Sequence, residues 1–293
     1  MPRRAATLLI LIPILLPSCE GLSGRRIVIG SKNFTEQIVL AEVLTQYIRS
    51  HTGLEIEQRI DLGGTLICQQ AIRAGEIDLY VEYTGTALTT VLGEPPSRNS
   101  AEVYAQVRRD YADRFGLEVT EPLGFNNTFA MVIRGEDARN LKLRTISDAA
   151  SVAPRWRAGF GYEFMERPDG FRGLAETYHL HFAQPPRTME LGLIYRALAE
   201  KQVDIVAGNS TDGAISKLDF AALEDDRRYF PSYEAVPIVR EDTVKRFPEL
   251  RTALRDLGGK FSEDEMRRLN YAVDGEHRDV KQVVAEFLRA KRM

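Results

Sequence analysis

Short β-branched runs alternate along the chain with segments whose apolar residues recur at helical spacing. Ile27-Val28-Ile29 is a compact apolar run, and between residues 35 and 48 the apolar positions repeat every three or four residues. That spacing gathers apolar side chains on one face of a helix, whereas short β-branched runs are typical of buried strands. The alternation of the two kinds of segment predicts an α/β fold.

The same pattern predicts the remaining elements. Further strands are expected at residues 56–60, 77–81, 128–133, 156–159, 203–207 and 236–239. Helices are expected at residues 65–74, 101–115, 171–178 and 190–200, after Ser147, and over most of the chain beyond residue 240. Gly75 is a typical helix stop, and Ser262 with Glu265 three residues later has the pattern of a capping box.

The length of 293 residues is more than one small hydrophobic core accommodates and fits two domains. We place the first passage of the chain between two lobes near Asn126 and its return after Tyr233. One lobe then consists of residues 26–125 with 234–293, and the other of residues 126–233. In open α/β sheets small ligands bind beyond the carboxyl ends of the strands, so a binding site is expected between the lobes.

The composition is that of an ordinary soluble globular protein, with 44% hydrophobic and 28% charged residues. The formal net charge is −3, and the sequence has no long run of like charge. This balance gives no reason to expect a nucleic-acid partner.

The first residues have the profile of an export signal. Arg3 and Arg4 precede an apolar run at residues 5–16, which is shorter than the roughly 20 residues that a membrane-spanning helix needs. The run ends in Leu16-Pro17-Ser18-Cys19, which resembles a bacterial lipobox. Residues 1–19 are therefore predicted to be a lipoprotein signal peptide, with Cys19 lipidated. The protein would lie in the periplasm or on the outer face of the cytoplasmic membrane, and the alternative is a plain secretory signal.

The second cysteine, Cys68, lies in an apolar helical pattern. A lipidated Cys19 would leave it without a disulfide partner, so Cys68 is predicted to be a buried small hydrophobe. A Cys19–Cys68 bridge in an oxidising compartment is the competing possibility.

Catalytic and metal-binding patterns are weak. Gly63-Gly64 before a helix could cradle an anion, but it lacks the lysine of a nucleotide-binding loop, so a plain turn is favoured. His179 and His181 would share one face of a strand but have no ligand partner near in sequence. Ser210 lacks the Gly-x-Ser-x-Gly pattern of a hydrolase. We therefore predict a binding protein without a cofactor or metal, and a hydrolase using Ser210 is the less favoured alternative.

Three aromatic residues stand near predicted strand ends or lobe crossings: Tyr83, Phe129 and Tyr233. Each by itself is typical of a hydrophobic core. Together they could form the walls of a site for a methylated ammonium ion, which has no N–H group and is held by aromatic faces.

Several motifs occur in an order that resembles the osmoprotectant-binding proteins of bacterial and archaeal ABC transporters, which bind glycine betaine, choline or carnitine. The motifs are Gly30-Ser31-Lys32-Asn33-Phe34-Thr35-Glu36-Gln37, Asp61-Leu62-Gly63-Gly64-Thr65, Val81-Glu82-Tyr83-Thr84-Gly85-Thr86, Ser210-Thr211-Asp212-Gly213, Leu223-Glu224-Asp225-Asp226, Leu269-Asn270-Tyr271 and Val273-Asp274-Gly275. The resemblance implies a two-lobed periplasmic-binding-protein fold of type II with two chain crossings. It also implies a small quaternary-ammonium ligand and ABC permease subunits as partners, with contact to the membrane through the lipid anchor only. The protein itself is expected to be a monomer.

The resemblance also implies ligand-binding positions. Tyr83, Phe129 and Tyr233 match the aromatic cage, with phenylalanine at a position that is usually tyrosine, and Asn127 precedes that ring. Some betaine-binding members carry a further tyrosine where this chain has Asn209. The cage is then incomplete, and another small polar solute, such as an amino-acid derivative, is the alternative ligand.

Three polar residues match positions that contact a betaine carboxylate in the family: Lys32, Thr86 and Arg167. A guanidinium can hold a carboxylate through two parallel hydrogen bonds, and a lysine adds a point charge. If these side chains line the cleft, a ligand with a carboxylate is favoured over choline.

Overall fold

The structure is a computed structural model that describes residues 24–97 and 99–293. The predicted signal peptide, including Cys19, lies outside the described residues. The strands are β1 (Arg26–Gly30), β2 (Glu55–Arg59), β3 (Leu79–Tyr83), β4 (Leu117–Val119), β5 (Phe129–Arg134), β6 (Ala158–Gly161), β7 (Arg187–Met189), β8 (Ile205–Asn209), β9 (Phe220–Leu223) and β10 (Ala235–Arg240).

Helices connect and cover these strands. They are α1 (Thr35–Thr52), α2 (Thr65–Ala74), α3 (Thr84–Thr86), α4 (Ser100–Phe115), α5 (Gly135–Leu141), α6 (Ile146–Ala150), α7 (Tyr162–Glu166), α8 (Phe171–Tyr178), α9 (Ile194–Ala199), α10 (Ala214–Lys217), α11 (Glu241–Arg246), α12 (Pro248–Asp256), α13 (Glu263–Asp274) and α14 (Val280–Lys291). A π-helical turn, Ala87–Val91, continues α3, and short 3-10 turns occur at Ala153–Arg155 and Leu191–Leu193. No helix in these described ranges combines the length and apolar character needed to span a bilayer.

The strands form two five-stranded sheets within the described residues, and the sheets have the same plan. The first has the order β2-β1-β3-β10-β4, and the second has the order β7-β6-β8-β5-β9. In each sheet four strands run in the same direction, while β10 or β5 runs antiparallel to both of its neighbours. Apolar side chains such as Ile27, Ile29, Met131 and Ile133 are fully buried beneath the helices. The predicted two-lobed α/β fold is therefore the observed one.

The two strands that run antiparallel each follow a segment that passes between the sheets. These segments lie side by side, with an isolated antiparallel bridge between Asn126 and Glu234. Backbone hydrogen bonds join Asn127 N to Tyr233 O at 3.0 Å and Ala235 N to Phe125 O at 3.2 Å. A paired connection of this kind joins the two sheets through both chain crossings.

Several sequence expectations differ from the structure in detail. The strands expected at residues 77–81 and 203–207 lie two residues later, because the polar residue before each belongs to the preceding turn. Strands β4, β7 and β9 were not predicted, since three or four residues are too few to show a period. The strand expected around His179 is wrong: His179 ends α8 in the left-handed conformation, with φ 54°. The capping box of Ser262 and Glu265 and the burial of Cys68 are confirmed.

Candidate functional site

A cleft between the two sheets brings together all eight side chains that the sequence nominated for ligand binding. Its walls include Lys32, Tyr83, Thr86, Asn127, Phe129, Arg167, Asn209 and Tyr233. About 580 Å³ of space in and around the cleft is not filled by protein atoms, part of it open solvent. Residues from distant parts of the chain thus meet at one place.

The strands explain this convergence. Tyr83 is the last residue of β3 and Asn209 the last of β8, so both stand at carboxyl ends of parallel strands. Phe129 begins β5 and is paired in register with Asn209. Because cross-strand partners project from the same face of a sheet, Phe129 and Asn209 stand next to each other in the cleft wall.

Aromatic rings form much of the wall. The Phe129 ring centroid lies 6.0 Å from that of Tyr233, with an interplanar angle of 75°, and 4.8 Å from that of Phe164. Across the cleft, Phe34 and Tyr83 stack with centroids 6.4 Å apart. The predicted aromatic cluster is present, and it is larger than three rings.

Arg167 contacts this aromatic wall and is paired with a buried carboxylate. Its guanidinium carbon lies 4.9 Å from the Phe129 ring centroid and 5.8 Å from that of Tyr233. Its Nε and Nη2 donate to the two carboxylate oxygens of Asp169 at 2.9 and 2.6 Å. Nη2 also donates to Thr86 Oγ1 at 3.0 Å, across the cleft. The two-point hydrogen bonding expected toward a ligand carboxylate is made here to Asp169.

Asp169 is 1% exposed and has further donors. Tyr233 Oη donates to its Oδ2 at 2.6 Å and Thr89 Oγ1 at 3.0 Å. Burial by itself would raise the pKa of Asp169, but the hydrogen bonds and charge of Arg167 outweigh it, so the pKa lies below its usual value. The carboxylate is thus ionised and neutralises Arg167.

Lys32 is also paired. Its Nζ donates to Glu82 Oε1 in a short contact and to Thr65 Oγ1 at 2.9 Å. Both members of the ion pair are buried, with exposed fractions of 2% and 0%. Lys32 Nζ also lies 5.1 Å from the Tyr83 ring centroid. Neither basic side chain of the cleft therefore brings an uncompensated positive charge.

Glu36 is a buried acid that links several segments around the cleft. It accepts hydrogen bonds from Tyr83 Oη at 2.6 Å, Asn127 Nδ2 at 2.7 Å and Asn270 Nδ2 at 3.0 Å. Burial raises its pKa, and the hydrogen bonds oppose that rise. Since its donors come from residues 83, 127 and 270, Glu36 holds Tyr83 in place and joins the first chain crossing to α13.

Five residues of the cleft were missed in the sequence analysis: Phe34, Glu163, Phe164, Leu191 and Ala207. Phe34 stands between β1 and α1, two residues after Lys32 in the same motif. That proximity could have identified Phe34 as a cleft residue. Glu163 had no such signal. Its Oε1 accepts the backbone N–H of Thr65 at 2.8 Å, and a Cβ added to Gly64 would lie 2.1 Å from the same oxygen. The turn before α2 therefore receives a carboxylate from α7, which follows β6 of the second sheet.

Ser210 and Asp212 occupy structural roles. Ser210 Oγ accepts the backbone N–H of Thr128 at 3.1 Å. Asp212 Oδ2 accepts from Tyr195 Oη at 2.6 Å and from Asn209 N at 2.8 Å. Burial raises the pKa of Asp212 to about 6, although these hydrogen bonds lower it. Asp212 thus orders the loop that follows Asn209.

The free energy of unfolding is expected to decrease as the pH rises from about 4 to about 6, in part because of Asp212. Its carboxyl keeps a proton in the folded state up to about pH 6, whereas the usual pKa of 3.8 applies to the unfolded chain. The unfolded state therefore binds fewer protons in this window. Asp212→Asn should remove on the order of 2 kcal/mol of the decrease, measured by urea unfolding across the window. An unchanged pH slope in the variant would contradict the raised pKa.

Comparisons with known proteins agree with this geometry. A family model described as the substrate-binding domain of ABC-type glycine betaine transport systems matches residues 25–290. The chain is 35% identical over 276 residues to the carnitine transport binding protein OpuCC of Listeria monocytogenes, covering 94% of this chain and 89% of that protein. It is 31% identical over 270 residues to the ergothioneine transport permease/ergothioneine binding protein EgtU of Helicobacter pylori, covering 92% of this chain and 48% of that protein.

A solved structure supports the same assignment. The crystal structure of a glycine betaine/carnitine/choline ABC transporter matches with a TM-score of 0.77 at 31% identity, covering 91% of this chain and 98% of that chain. The family consists of extracytoplasmic transporter components that bind a small ligand and work with permease subunits, and they are not enzymes. The expected family, fold and absence of catalysis are confirmed. This chain belongs to the family of substrate-binding domains of ABC-type glycine betaine transport systems.

Proposed function

We propose that the protein captures a quaternary-ammonium solute such as glycine betaine in the cleft and delivers it to ABC permease subunits. The observation that carries this proposal is the aromatic wall. The rings of Phe34, Tyr83, Phe129, Phe164 and Tyr233 line one cleft. Ring faces attract a methylated ammonium ion by about 0.5 to 2 kcal/mol each, depending on desolvation.

The charges around the cleft favour a cationic group. Lys32 is neutralised by Glu82, and Arg167 by Asp169. Glu163 adds a carboxylate to the wall without a basic partner of its own among the described ion pairs. A ligand cation would therefore meet aromatic faces and a carboxylate in a site where no protein cation is left uncompensated.

An anionic end of the ligand would contact the polar side of the cleft. Arg167 uses Nε and Nη2 for Asp169 and Thr86, and no hydrogen bond from Nη1 is found among residues 24–97 and 99–293. Nη1 and Lys32 Nζ are the donors available to a carboxylate, with Thr86 Oγ1 beside them. A betaine has an ammonium group for the aromatic wall and a carboxylate for the polar side of the cleft, whereas choline has only the ammonium group.

Binding would close the two lobes by rotation about the paired crossings. We assign residues 26–125 with 234–293 to one moving body and residues 126–233 to the other. The hydrogen bonds from Asn127 to Glu36 and from Arg167 to Thr86 join the two bodies in the closed state. The closed protein, a monomer held at the outer face of the membrane by lipid on Cys19, would then dock on its permease.

Exchanging Phe129 for leucine tests the aromatic wall. Leucine keeps an apolar side chain but removes the ring, so the affinity for glycine betaine should fall by about 2- to 30-fold. Phe129→Tyr keeps the ring and is the matched control, with an affinity close to that of the unmodified protein. Calorimetric titration with glycine betaine, choline, carnitine and proline betaine gives the affinities. Equal binding by the two variants would contradict a role for the ring.

A second candidate ligand class is a small polar solute that lacks a quaternary ammonium, such as an amino-acid derivative. It is favoured by Asn209, whose amide stands beside Phe129 and offers two hydrogen-bond donors and an acceptor instead of the ring face of a tyrosine. The same titration separates the two classes. Saturable heat with an amino-acid derivative and none with the four quaternary compounds would favour this second class.

A further inference from the structure

We infer that Thr89 is a positioning residue for closure of the cleft, because its hydroxyl group changes its hydrogen-bond acceptor when the two sheets come together. With the cleft open, the hydroxyl donates to the backbone oxygen of Gly85, and with the cleft closed it donates to the carboxylate of Asp169. The inference rests on the proposed closure over a ligand and adds a residue that determines how strongly the closed form is held.

The hydroxyl group of Thr89 has two acceptors in reach but only one proton. Its Oγ1 lies 2.9 Å from Gly85 O and 3.0 Å from Asp169 Oδ2. A hydroxyl has a single O–H, so it donates to one of these oxygens at a time. A hydrogen bond to an ionised acceptor is roughly twice as strong as one to a neutral carbonyl. In the closed protein the proton is therefore directed to Asp169.

Thr89 and Asp169 belong to segments that follow different sheets. Thr89 lies in the π-helical turn Ala87–Val91, which continues the chain after β3 and α3 of the first sheet. Asp169 lies between α7 and α8, which follow β6 of the second sheet. The two residues are 80 positions apart, and their side chains are 2% and 1% exposed. A buried hydrogen bond thus joins the two halves of the structure beside the cleft.

Thr86 and Thr89 contact the two members of one ion pair with opposite polarity. Thr86 Oγ1 accepts from Arg167 Nη2 at 3.0 Å, and Thr89 Oγ1 donates to Asp169 Oδ2. A guanidinium has only donors and a carboxylate only acceptors, and a hydroxyl group can serve either of them. The two threonines stand on either side of the start of the π-helical turn, a rare conformation that is frequent at functional sites.

Both partners keep other hydrogen bonds when the sheets separate. Gly85 is four residues before Thr89, the spacing at which threonine hydroxyls in helices donate to a backbone carbonyl. Asp169 keeps the bonds from Arg167 and Tyr233 to its Oδ2, each of 2.6 Å. Opening therefore leaves no buried donor unpaired, and closure exchanges a hydrogen bond to a carbonyl for one to a charge.

Exchanging Thr89 for valine tests the inference, since valine keeps the branched shape and removes the hydroxyl group. In calorimetric titration this variant should bind glycine betaine about tenfold more weakly, the difference expected between a hydrogen bond to a charge and one to a carbonyl. Thr90→Val is the matched control, because the buried Thr90 Oγ1 has no hydrogen-bond partner among residues 24–97 and 99–293. Its affinity should equal that of the unmodified protein. Thr89→Ser keeps the hydroxyl group and should keep most of the affinity.

A direct measurement of closure separates this role from a purely structural one. Dyes on cysteines introduced by Gln70→Cys in α2 and Arg187→Cys in β7, both exposed positions, report the separation of the sheets by single-molecule energy transfer. With saturating glycine betaine, Thr89→Val should open about tenfold faster than Thr90→Val. Without ligand, its ratio of closed to open molecules should be lower by the same factor. A purely structural role would lower the unfolding midpoint and leave the opening rate and this ratio unchanged.

The inference and the proposed function fail differently. If glycine betaine binds both valine variants with equal affinity and both open at the same rate, the proposed function stands and the role of Thr89 is wrong. If the unmodified protein does not bind glycine betaine, the proposed ligand is wrong, and the ratio of closed to open molecules without ligand decides on Thr89. An equal ratio in the two valine variants would then overturn the inference.

Discussion

Replacing Gly213 by alanine is expected to weaken ligand binding by about tenfold or more, because the added methyl group would hold the two lobes apart. A Cβ at residue 213 would lie 2.4 Å from Tyr271 Cβ and 2.7 Å from the backbone oxygen of Arg267, both in α13, which we expect to belong to the other lobe. Neither atom is the end of a flexible side chain. Relief therefore requires the lobes to separate, which removes the contacts that the closed state makes with the ligand.

The backbone itself tolerates alanine here. Gly213 has φ −64° and ψ −26°, an ordinary helical conformation, so the unfolding midpoint of the ligand-free variant should stay close to that of the unmodified protein. Gly192→Ala is a matched control, since an added Cβ there meets no atom within 4 Å. Calorimetry gives the affinity, and small-angle scattering with ligand gives the degree of closure. A variant that closes and binds normally would show that the contact at Gly213 does not limit closure.

Asp169→Asn is expected to lower the free energy of unfolding by about 3 kcal/mol, because it leaves the buried guanidinium of Arg167 without its counter-charge. Arg167 and Asp169 are 9% and 1% exposed, so water cannot replace the lost carboxylate. An asparagine keeps the size of the side chain and one acceptor oxygen. The loss is therefore electrostatic. Urea unfolding followed by the fluorescence of Trp156, the only tryptophan of the chain, reports on the same lobe.

An exposed arginine–aspartate pair that also has two hydrogen bonds provides the control. Arg139 donates to both carboxylate oxygens of Asp219 at 2.8 and 2.7 Å, but the two side chains are 63% and 66% exposed. Asp219→Asn should cost less than about 1 kcal/mol, since water screens the pair. Adding Arg167→Met to Asp169→Asn should recover part of the loss by removing the unpaired charge. Equal losses for the two aspartate variants would contradict the argument from burial.

The pattern of apolar residues and the resemblance to osmoprotectant-binding proteins together predicted the positions of many cleft residues. Tyr83, Phe129 and Asn209 could be placed near strand ends from the alternation of apolar residues alone, and a strand end is where an α/β fold binds its ligand. Lys32 and Arg167 were identified through motifs rather than through periodicity. The structure brings all five to the cleft. Errors in strand bounds of two residues did not matter, because the order of the elements decides which ends meet.

The electrostatic partners of these residues were not predictable in the same way. Glu36 takes its donors from Asn127, 91 residues away, and from Asn270, 234 residues away. Glu163 reaches the N–H of Thr65 from a distance of 98 residues in the chain. No local period relates such positions. Asp169 is different, since it is only two residues from Arg167 and could have been paired with it on sequence grounds.

The sequence by itself determined the order of the longer strands and helices and the residue types available at strand ends, because these depend on local periodicity and turn chemistry. Only the tertiary structure decided how the charges are distributed. In the folded chain, Lys32 is paired with the buried Glu82 and Arg167 with the buried Asp169. The space beyond Asn209 is lined by Glu36, Asp61, Asp212 and Asp274. Burial and pairing depend on which distant segments pack together, and that packing determines whether a charged side chain is free to bind a ligand or already bound within the protein.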